Sequence, residues 1–175
     1  MPAPYYRFDG VDDVIKVGDD PDLDFGTGDF SVVARARLST LGSYVSLFGK
    51  GVQPYGAVDA ITGYKHVDDE MRFYARSSGT DRSVATTNAN MAIDEWMVLA
   101  FVRDGDVLSI YKNGIALNVT DTGTGIQDVD NSDGLWIGAQ EAAASATGME
   151  WDGEISDVKV FNLALSATEV KQLYS

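Results

Sequence analysis

The sequence lacks cysteine altogether and contains a single histidine, His66. Without cysteine the chain can form no disulfide bond, no thiolate metal site and no cysteine nucleophile. One histidine also argues against a His-rich catalytic zinc site. A chain of 175 residues is long enough to bury a sizeable core without disulfide bonds, and we expect one domain spanning residues 1–175.

Basic residues are scarce as well: 13 Lys and Arg stand against 27 Asp and Glu, for a net charge of −14. Nucleic acids and anionic membranes bind cationic surfaces, so neither is a predicted partner. No apolar run is long enough to insert into a membrane. The first residues also lack the basic and apolar regions of a signal peptide. We therefore expect a chain that reaches its destination without a signal peptide, or a module excised from a longer protein.

Glycine and Asx residues recur between short β-rich runs, a spacing that is typical of an antiparallel sandwich or barrel. The predicted strands are Tyr5–Asp9, Asp13–Val17, Asp29–Leu38, Tyr44–Gly49, Glu70–Ser77, Ser83–Thr87, Glu95–Arg103, Val107–Lys112, Ile115–Thr120, Gly134–Ala139 and Glu154–Phe161. The Asp104-Gly105 and Asn113-Gly114 dipeptides predict tight turns on either side of one strand. A single helix is predicted over Ser166–Tyr174, where Ser166 and Glu169 form a capping box.

Alternation within two of these strands predicts which side chains face outward. Arg35 and Arg37 lie opposite the apolar row of one strand, and Arg72, Tyr74 and Arg76 lie opposite the apolar row of another. If the two strands were neighbours, these arginines would form a cationic stripe suited to a carboxylated or sulfated glycan. The alternative is that the arginines pair with acidic side chains. Trp96 and Trp136 are predicted to lie in the core of the sheets.

Several segments, in order and at similar spacing, resemble the laminin-G-like, concanavalin A-like family. Phe8–Val17 is similar to its opening F-D-G-x-D-D-Y-V-x-V, and Trp151–Ser166 to its final F-x-G-x-I-D-D-V-R-I-Y-N-R-A-L-S. The resemblance implies an all-β, two-sheet antiparallel jelly-roll sandwich with a short C-terminal helix. It also implies a binding module rather than an enzyme. Where many relatives have a tryptophan on an outward strand face, this chain has Arg35.

The resemblance also implies a structural Ca²⁺ beside the first and last strands, with Asp157 and Asp9 as ligands. Asp157 lies within an otherwise apolar strand, where a carboxylate must be paired, hydrogen-bonded or bound to a cation. A fixed hydrogen bond is the alternative explanation for Asp157. A second, pentraxin-like calcium site would use Gln140 and Glu141 together with Asp68 or Asp69.

A glycan-binding surface is predicted from the aromatic and arginine side chains. The segment 53–66 is long and irregular, and its aromatic rings could lie against the apolar faces of sugars. Adding the outward rows described above gives the predicted ligand-binding residues: Tyr55, Tyr64, His66, Arg35, Arg72, Tyr74 and Arg76.

Three acidic residues alternate along one segment: Glu150, Asp152 and Glu154. The spacing of Glu150 and Glu154 resembles that of the carboxylate pair of a retaining glycosidase. The family resemblance places them at the start of the final strand, beside Gly153. A solvated loop edge is therefore the preferred interpretation, and we predict no active site.

Three functions follow from the sequence, in order of preference. The first is a non-catalytic carbohydrate-binding or adhesion module whose partner is a glycan or cell-surface polysaccharide. The second is a structural protein of an extracellular assembly, such as a virion decoration or fibre protein, acting as a homo-oligomer or bound to a virion partner. The third is a glycoside hydrolase. The first two place the chain outside a cell or on a virion surface.

Overall fold

The computed structural model describes residues 4–51, 59–78, 80–125, 127–140 and 149–174. Almost all regular structure in these residues is β-strand. The strands are β1 Tyr6–Asp9, β2 Ile15–Val17, β3 Phe30–Leu38, β4 Val45–Lys50, β5 Ala60–Lys65, β6 Met71–Ser77, β7 Thr80–Thr86, β8 Met97–Asp104, β9 Val107–Lys112, β10 Ile115–Ala116, β11 Val119–Thr122, β12 Leu135–Ile137 and β13 Asp152–Phe161. One helix, α1, covers Ala167–Tyr174, and a 3-10 turn covers Pro21–Leu23.

The strands form two antiparallel sheets that pack face to face. The six-stranded sheet has the order β1-β13-β3-β8-β9-β10, and the seven-stranded sheet has the order β11-β7-β6-β5-β4-β12-β2. This is the predicted two-sheet antiparallel sandwich with a short C-terminal helix. The turns predicted at Gly105 and Asn113-Gly114 join β8, β9 and β10, and all three residues have the positive φ that tight turns require.

A cluster of phenylalanine rings joins the two sheets. Phe30 and Phe101 come from the six-stranded sheet, and Phe48 and Phe73 come from the seven-stranded one. The ring of Phe101 lies 5.2 Å from that of Phe48 and 5.6 Å from that of Phe73, in edge-to-face arrangements. All four rings are fully buried. Edge-to-face rings at this spacing attract each other in addition to burying apolar surface.

Helix α1 covers part of the outer surface of the six-stranded sheet. Val33, Val98 and Val102 point outward from that sheet and pack against Val170 of the helix. The capping box is present, because the Ser166 backbone N–H donates to Glu169 Oε2 at 2.8 Å and the Glu169 N–H donates to Ser166 Oγ at 3.3 Å. The outer face of the seven-stranded sheet is not covered by a helix in the described residues. Within those residues, no helix is long and apolar enough to cross a membrane.

Candidate functional site

Strand β5, Ala60–Lys65, lies near the centre of the seven-stranded sheet, between β4 and β6. The sequence predicted an irregular loop here, and that prediction was wrong for residues 60–65. Tyr64 therefore projects from a strand. Its register partner on β6 is Arg72, and Thr62 is paired with Tyr74. These four side chains share the outer face of the sheet, because residues opposite each other in a ladder point to the same side.

One register row crosses the whole seven-stranded sheet on its outer face. From edge to edge it contains Lys16, Trp136, Gly49, Thr62, Tyr74, Ser83 and Thr122. Trp136 and Tyr74 are its only aromatic members and stand three strands apart, a separation of about 14 Å. Between them lie glycine and threonine, so the sheet surface is low there. We call this space, with Trp136 and Tyr74 as walls and Gly49 and Thr62 as floor, the trough.

The Tyr74 wall of the trough is reinforced by Tyr64. The two rings are stacked with centroids 5.8 Å apart and an interplanar angle of 25°. Burial, together with the neighbouring Tyr74, raises the pKa of Tyr64 well above its ordinary value of 10.0. The Tyr64 phenol therefore stays protonated at neutral pH, and both rings are partly exposed. At the opposite wall, Lys16 Nζ lies 4.1 Å from the ring centroid of Trp136 and fixes that ring by a cation–π contact.

The side chain of Gln140 completes the floor of the trough. It packs over Gly49, where a Cβ atom would lie only 3.0 Å from Gln140 Cβ. The Gln140 Oε1 atom accepts a hydrogen bond from Thr62 Oγ1 at 3.3 Å. Gln140 is only 5% exposed, and its Nε2 has no hydrogen-bond partner among the described residues. Gln140 therefore closes the bottom of the trough above Gly49 and Thr62.

The arginines on this face are paired with acids. Arg72 Nη2 lies 2.7 Å from Glu70 Oε2, and Arg76 Nε lies 3.0 Å from Asp81 Oδ1. The sequence offered this pairing as the alternative to a cationic stripe. The positive charge of both guanidinium groups is therefore largely balanced beside the trough.

Arg35 and Arg37 lie on the other side of the sandwich. Strand β3 belongs to the six-stranded sheet, so its outward row faces away from that of β6. The predicted stripe that joins Arg35 to Arg72, Tyr74 and Arg76 is therefore not formed. Arg35 instead lies over Trp96, with 4.2 Å between the guanidinium carbon and the ring centroid.

Trp96 and Trp136 are partly exposed on the two outer faces. Their prediction as core residues was wrong, since each ring stacks with a basic side chain at the surface instead. Trp151 is the tryptophan that lies in the core, fully buried, and its Nε1–H donates to the Arg37 carbonyl oxygen at 3.1 Å. Tyr55 lies outside the described residues.

The two predicted calcium ligands are not brought together. Asp9 is the register partner of Asp152, and Asp157 lies five residues further along β13, roughly 15 Å away. Asp157 is also exposed, with φ 51°, at a bulge between Ser156 and Lys159. The inference that Asp157 lies among apolar side chains was wrong, because the bulge turns it toward solvent. It lines an open groove that also contains Arg35 and Trp96.

Asp9 lies instead with Asp12 and Asp13, and the carboxylate oxygens of these three lie within 4.8 Å of one another. All three are exposed. The Asp9 N–H donates to Asp13 Oδ2 at 3.0 Å, and Asp9 Oδ1 accepts from the Val11 N–H at 2.9 Å. Oxygen ligands of this kind are the ones that Ca²⁺ prefers, and Asp157 is not among them. The structural Ca²⁺ stays a prediction. The pentraxin-like alternative depends on Glu141, which lies outside the described residues.

Glu154 is poorly suited to act as the general acid of a glycosidase. It is buried and accepts two hydrogen bonds from Arg37, with Oε2 2.7 Å from Nε and Oε1 2.8 Å from Nη2. The hydrogen bonds from Arg37 hold the pKa of Glu154 below its ordinary value of 4.5. A general acid needs a raised pKa, so this carboxylate would not carry a proton at neutral pH.

Sequence reasoning missed Trp136, Thr62 and Gln140 as members of this surface. A signal was present for Trp136, because Leu135 and Ile137 on either side are buried and the alternation of a strand turns Trp136 outward. No local signal identifies Thr62 or Gln140, since their position depends on the order of strands in the sheet.

The sequence matches the family model described as the Concanavalin A-like lectin/glucanases superfamily over residues 9–171. The chain belongs to this superfamily. Its members share the two-sheet jelly roll seen here. The comparison with curated proteins finds no match.

Several solved structures have the same fold. NanB sialidase from Streptococcus pneumoniae is 19% identical, with a TM-score of 0.73, over 97% of this chain and 27% of that one. Domain 4 of AbnA, an extracellular GH43 arabinanase from Geobacillus stearothermophilus in complex with arabinotriose, is 18% identical, with a TM-score of 0.73, over 98% of this chain and 76% of that one. The CBM40 of Ruminococcus gnavus IT-sialidase, bound to α2,3-sialyllactose, is 14% identical, with a TM-score of 0.69, over 94% and 97% of the two chains. At such low identities the likeness shows the fold alone, and the chain spans only about a quarter of the NanB sialidase.

Proposed function

We propose that this chain is a non-catalytic carbohydrate-binding module and that it binds glycans in the trough. The observation that carries the proposal is the register row in which Trp136 and Tyr74 stand on either side of Gly49 and Thr62. Two aromatic walls above a low floor form a concave surface open to an extended ligand.

The chemistry of the trough matches that of sugars. Aromatic rings lie against the C–H faces of pyranose or furanose rings, while polar neighbours bond the hydroxyl groups. Tyr64 and Tyr74 supply stacked rings whose phenol groups can exchange hydrogen bonds with sugar hydroxyls.

The balanced charge favours neutral glycans over acidic ones. Arg72 and Arg76 are each bound to a carboxylate, so neither guanidinium is free to pair with a carboxylated or sulfated sugar. The net charge of −14 adds repulsion of anionic polymers at long range. The similar structures do not decide the question, because the AbnA domain is described with neutral arabinotriose and the CBM40 with sialyllactose, which carries a carboxylate. On the charge balance of the trough we favour neutral glycans as ligands, and an extracellular site of action.

A glycan array, followed by calorimetric titration with the best neutral oligosaccharide, tests this proposal. Tyr74→Ala and Trp136→Ala are each expected to weaken binding by about ten- to hundred-fold, since removing an aromatic contact costs about 1–3 kcal/mol. Trp96→Ala is the matched control, because Trp96 is also partly exposed but lies on the other sheet. It should leave affinity unchanged.

A blank array with folded protein, or equal losses in all three variants, would contradict binding in the trough. The alternative function, a structural protein of an extracellular assembly, predicts a stable symmetric oligomer and no glycan affinity. Size-exclusion chromatography with light scattering on the same sample distinguishes the two. Hydrolysis of polysaccharide that is lost on Glu154→Gln would favour the glycoside hydrolase.

A further inference from the structure

The turn between β5 and β6 gathers three metal-ligating side chains outside the trough. His66, Asp68 and Glu70 alternate along residues 66–70, and one ligand atom from each lies within 4.8 Å of the other two. His66 Nδ1 lies 3.1 Å from Asp68 Oδ2. A ring nitrogen and two carboxylates thus point at one small volume.

Both ring nitrogens of His66 have close polar neighbours. The Asp68 backbone N–H lies 3.3 Å from His66 Nδ1, at the long end of the hydrogen-bond range. The Tyr44 hydroxyl lies 2.9 Å from His66 Nε2. The Tyr44 ring meets the imidazole edge to face at 4.5 Å, which fixes the plane of the ring. Metal-bound histidines show this arrangement, with one nitrogen on the ion and the other N–H donated to a neighbour.

His66 Nδ1 faces the Asp68 carboxylate. At 3.1 Å, a proton or a metal ion must lie between these two groups. Glu70 uses Oε2 to bind Arg72 Nε and Nη2, at 3.0 and 2.7 Å, which leaves Oε1 available.

The backbone that carries these side chains is held in place from both sides. The His66 N–H donates to the Glu70 carbonyl oxygen at 2.8 Å, closing the turn. Asp69, at φ 61°, occupies the tip and accepts the Met91 N–H on Oδ1 at 3.1 Å. The Asp68 side chain is 62% exposed, so an ion can reach the cluster from solution without any rearrangement of the core.

We propose that His66, Asp68 and Glu70 bind a divalent transition-metal ion of the zinc class. One imidazole nitrogen and two carboxylate oxygens are ligands that Zn²⁺ accepts in tetrahedral geometry, with a water molecule as the fourth ligand. The nitrogen ligand disfavours Ca²⁺, which takes oxygen ligands. This site is separate from the Asp9, Asp12 and Asp13 group, and it does not depend on glycan binding in the trough.

Titration of metal-free protein with Co²⁺ tests the proposal, because tetrahedral Co²⁺ absorbs visible light and reports its ligands. We expect a saturable visible band that Zn²⁺ displaces at one equivalent. His66→Ala should abolish the band. Tyr44→Phe keeps the ring but removes the acceptor for Nε2–H, and it should weaken binding about ten- to hundred-fold.

Asp68→Asn provides a second loss-of-binding variant at an exposed position, in case His66→Ala fails to fold. Asp13→Asn is the matched control from the other acidic group and should bind Co²⁺ like the parent protein. The absence of a visible band, or a band that persists in folded Asp68→Asn and His66→Ala, would overturn the proposal. In that case the 3.1 Å contact between His66 and Asp68 is a direct hydrogen bond with no ion between them.

Discussion

The guanidinium of Arg37 and the carboxylate of Glu154 lie side by side on β3 and β13 and share two hydrogen bonds of 2.7 and 2.8 Å. Their mutual hydrogen bonds lower the pKa of Glu154 and raise that of Arg37. Paired side chains directly opposite each other contribute to the pairing of strands. The contact therefore ties the last strand to β3 and makes the pairing sensitive to pH.

Glu154→Gln is expected to destabilise the protein at neutral pH, by a few degrees in melting temperature, but not in acid. Glu154 has a lower pKa in the folded state than its ordinary value of 4.5. Its contribution is therefore fully present above about pH 4.5 and is lost as the pH falls through the folded pKa. Urea unfolding of both proteins across this range measures the difference. If the difference between their free energies of unfolding stayed constant as the pH fell below 4.5, the lowered pKa of Glu154 would be contradicted.

Gly63→Ala is expected to lower the free energy of unfolding by about 1–3 kcal/mol, because it inserts a methyl group into a core that is already filled. A Cβ atom at position 63 would lie 2.4 Å from Phe48 Cε1 and 2.9 Å from Phe101 Cε1. Gly42→Ala is the matched control, since a Cβ there meets no atom within 4 Å. Denaturant midpoints of the two variants should differ clearly, and similar midpoints would show that the Phe rings can move aside.

Lys50→Met is expected to lower the free energy of unfolding by about 2–3 kcal/mol. Lys50 Nζ is 1% exposed and lies 3.2 Å from Asp19 Oδ1 and 3.3 Å from Asp24 Oδ1. Removing one partner of a buried ion pair leaves the other charge uncompensated, and the partial exposure of both acids moderates that cost. Urea unfolding measures the loss. Lys159→Met, at an exposed position, is the control and should change stability little.

The structural calcium implied by the sequence stays a prediction, and a thermal melt with Ca²⁺ or with a chelator tests it. An ion that binds the folded state alone raises stability by about 2.7 kcal/mol at a concentration a hundred times its Kd. We expect Asp13→Asn to lose the response and Asp157→Asn to retain it, because Asp13 lies among three carboxylates and Asp157 does not. An unchanged midpoint in the parent protein would rule out the ion.

Much of the fold could be predicted from the sequence, because most strands alternate cleanly and the turns carry glycine or asparagine. Strand β5 could not. Its inward row is Ile61, Gly63 and Lys65, which does not look like a core-facing pattern. Gly63 is small because the Phe48 and Phe101 rings fill its space. Lys65 can be buried because its ammonium donates to the backbone carbonyl oxygens of Leu41 and His66.

The trough was harder to predict than the fold. Tyr64 was predicted as a ligand-binding residue from its aromatic ring and Tyr74 from the outward row of its strand, and they do lie together. Trp136 was assigned to the core. Its approach to Tyr74 depends on the order of β12, β4, β5 and β6 in the sheet. Sequence patterns within a strand carry no information about that order.

Lys50 has a consequence for how this fold is held together. Besides Asp19 and Asp24, its ammonium donates to the backbone carbonyl oxygens of Asn131 and Asp133, at 2.8 and 2.7 Å. An all-oxygen shell of carboxylates and carbonyls is what a calcium ion gathers around itself. Here the positive charge at the centre of the shell is the ammonium of Lys50, which is covalently part of β4. Chelators or dilution can remove a metal ion from such a shell, but they cannot remove this charge.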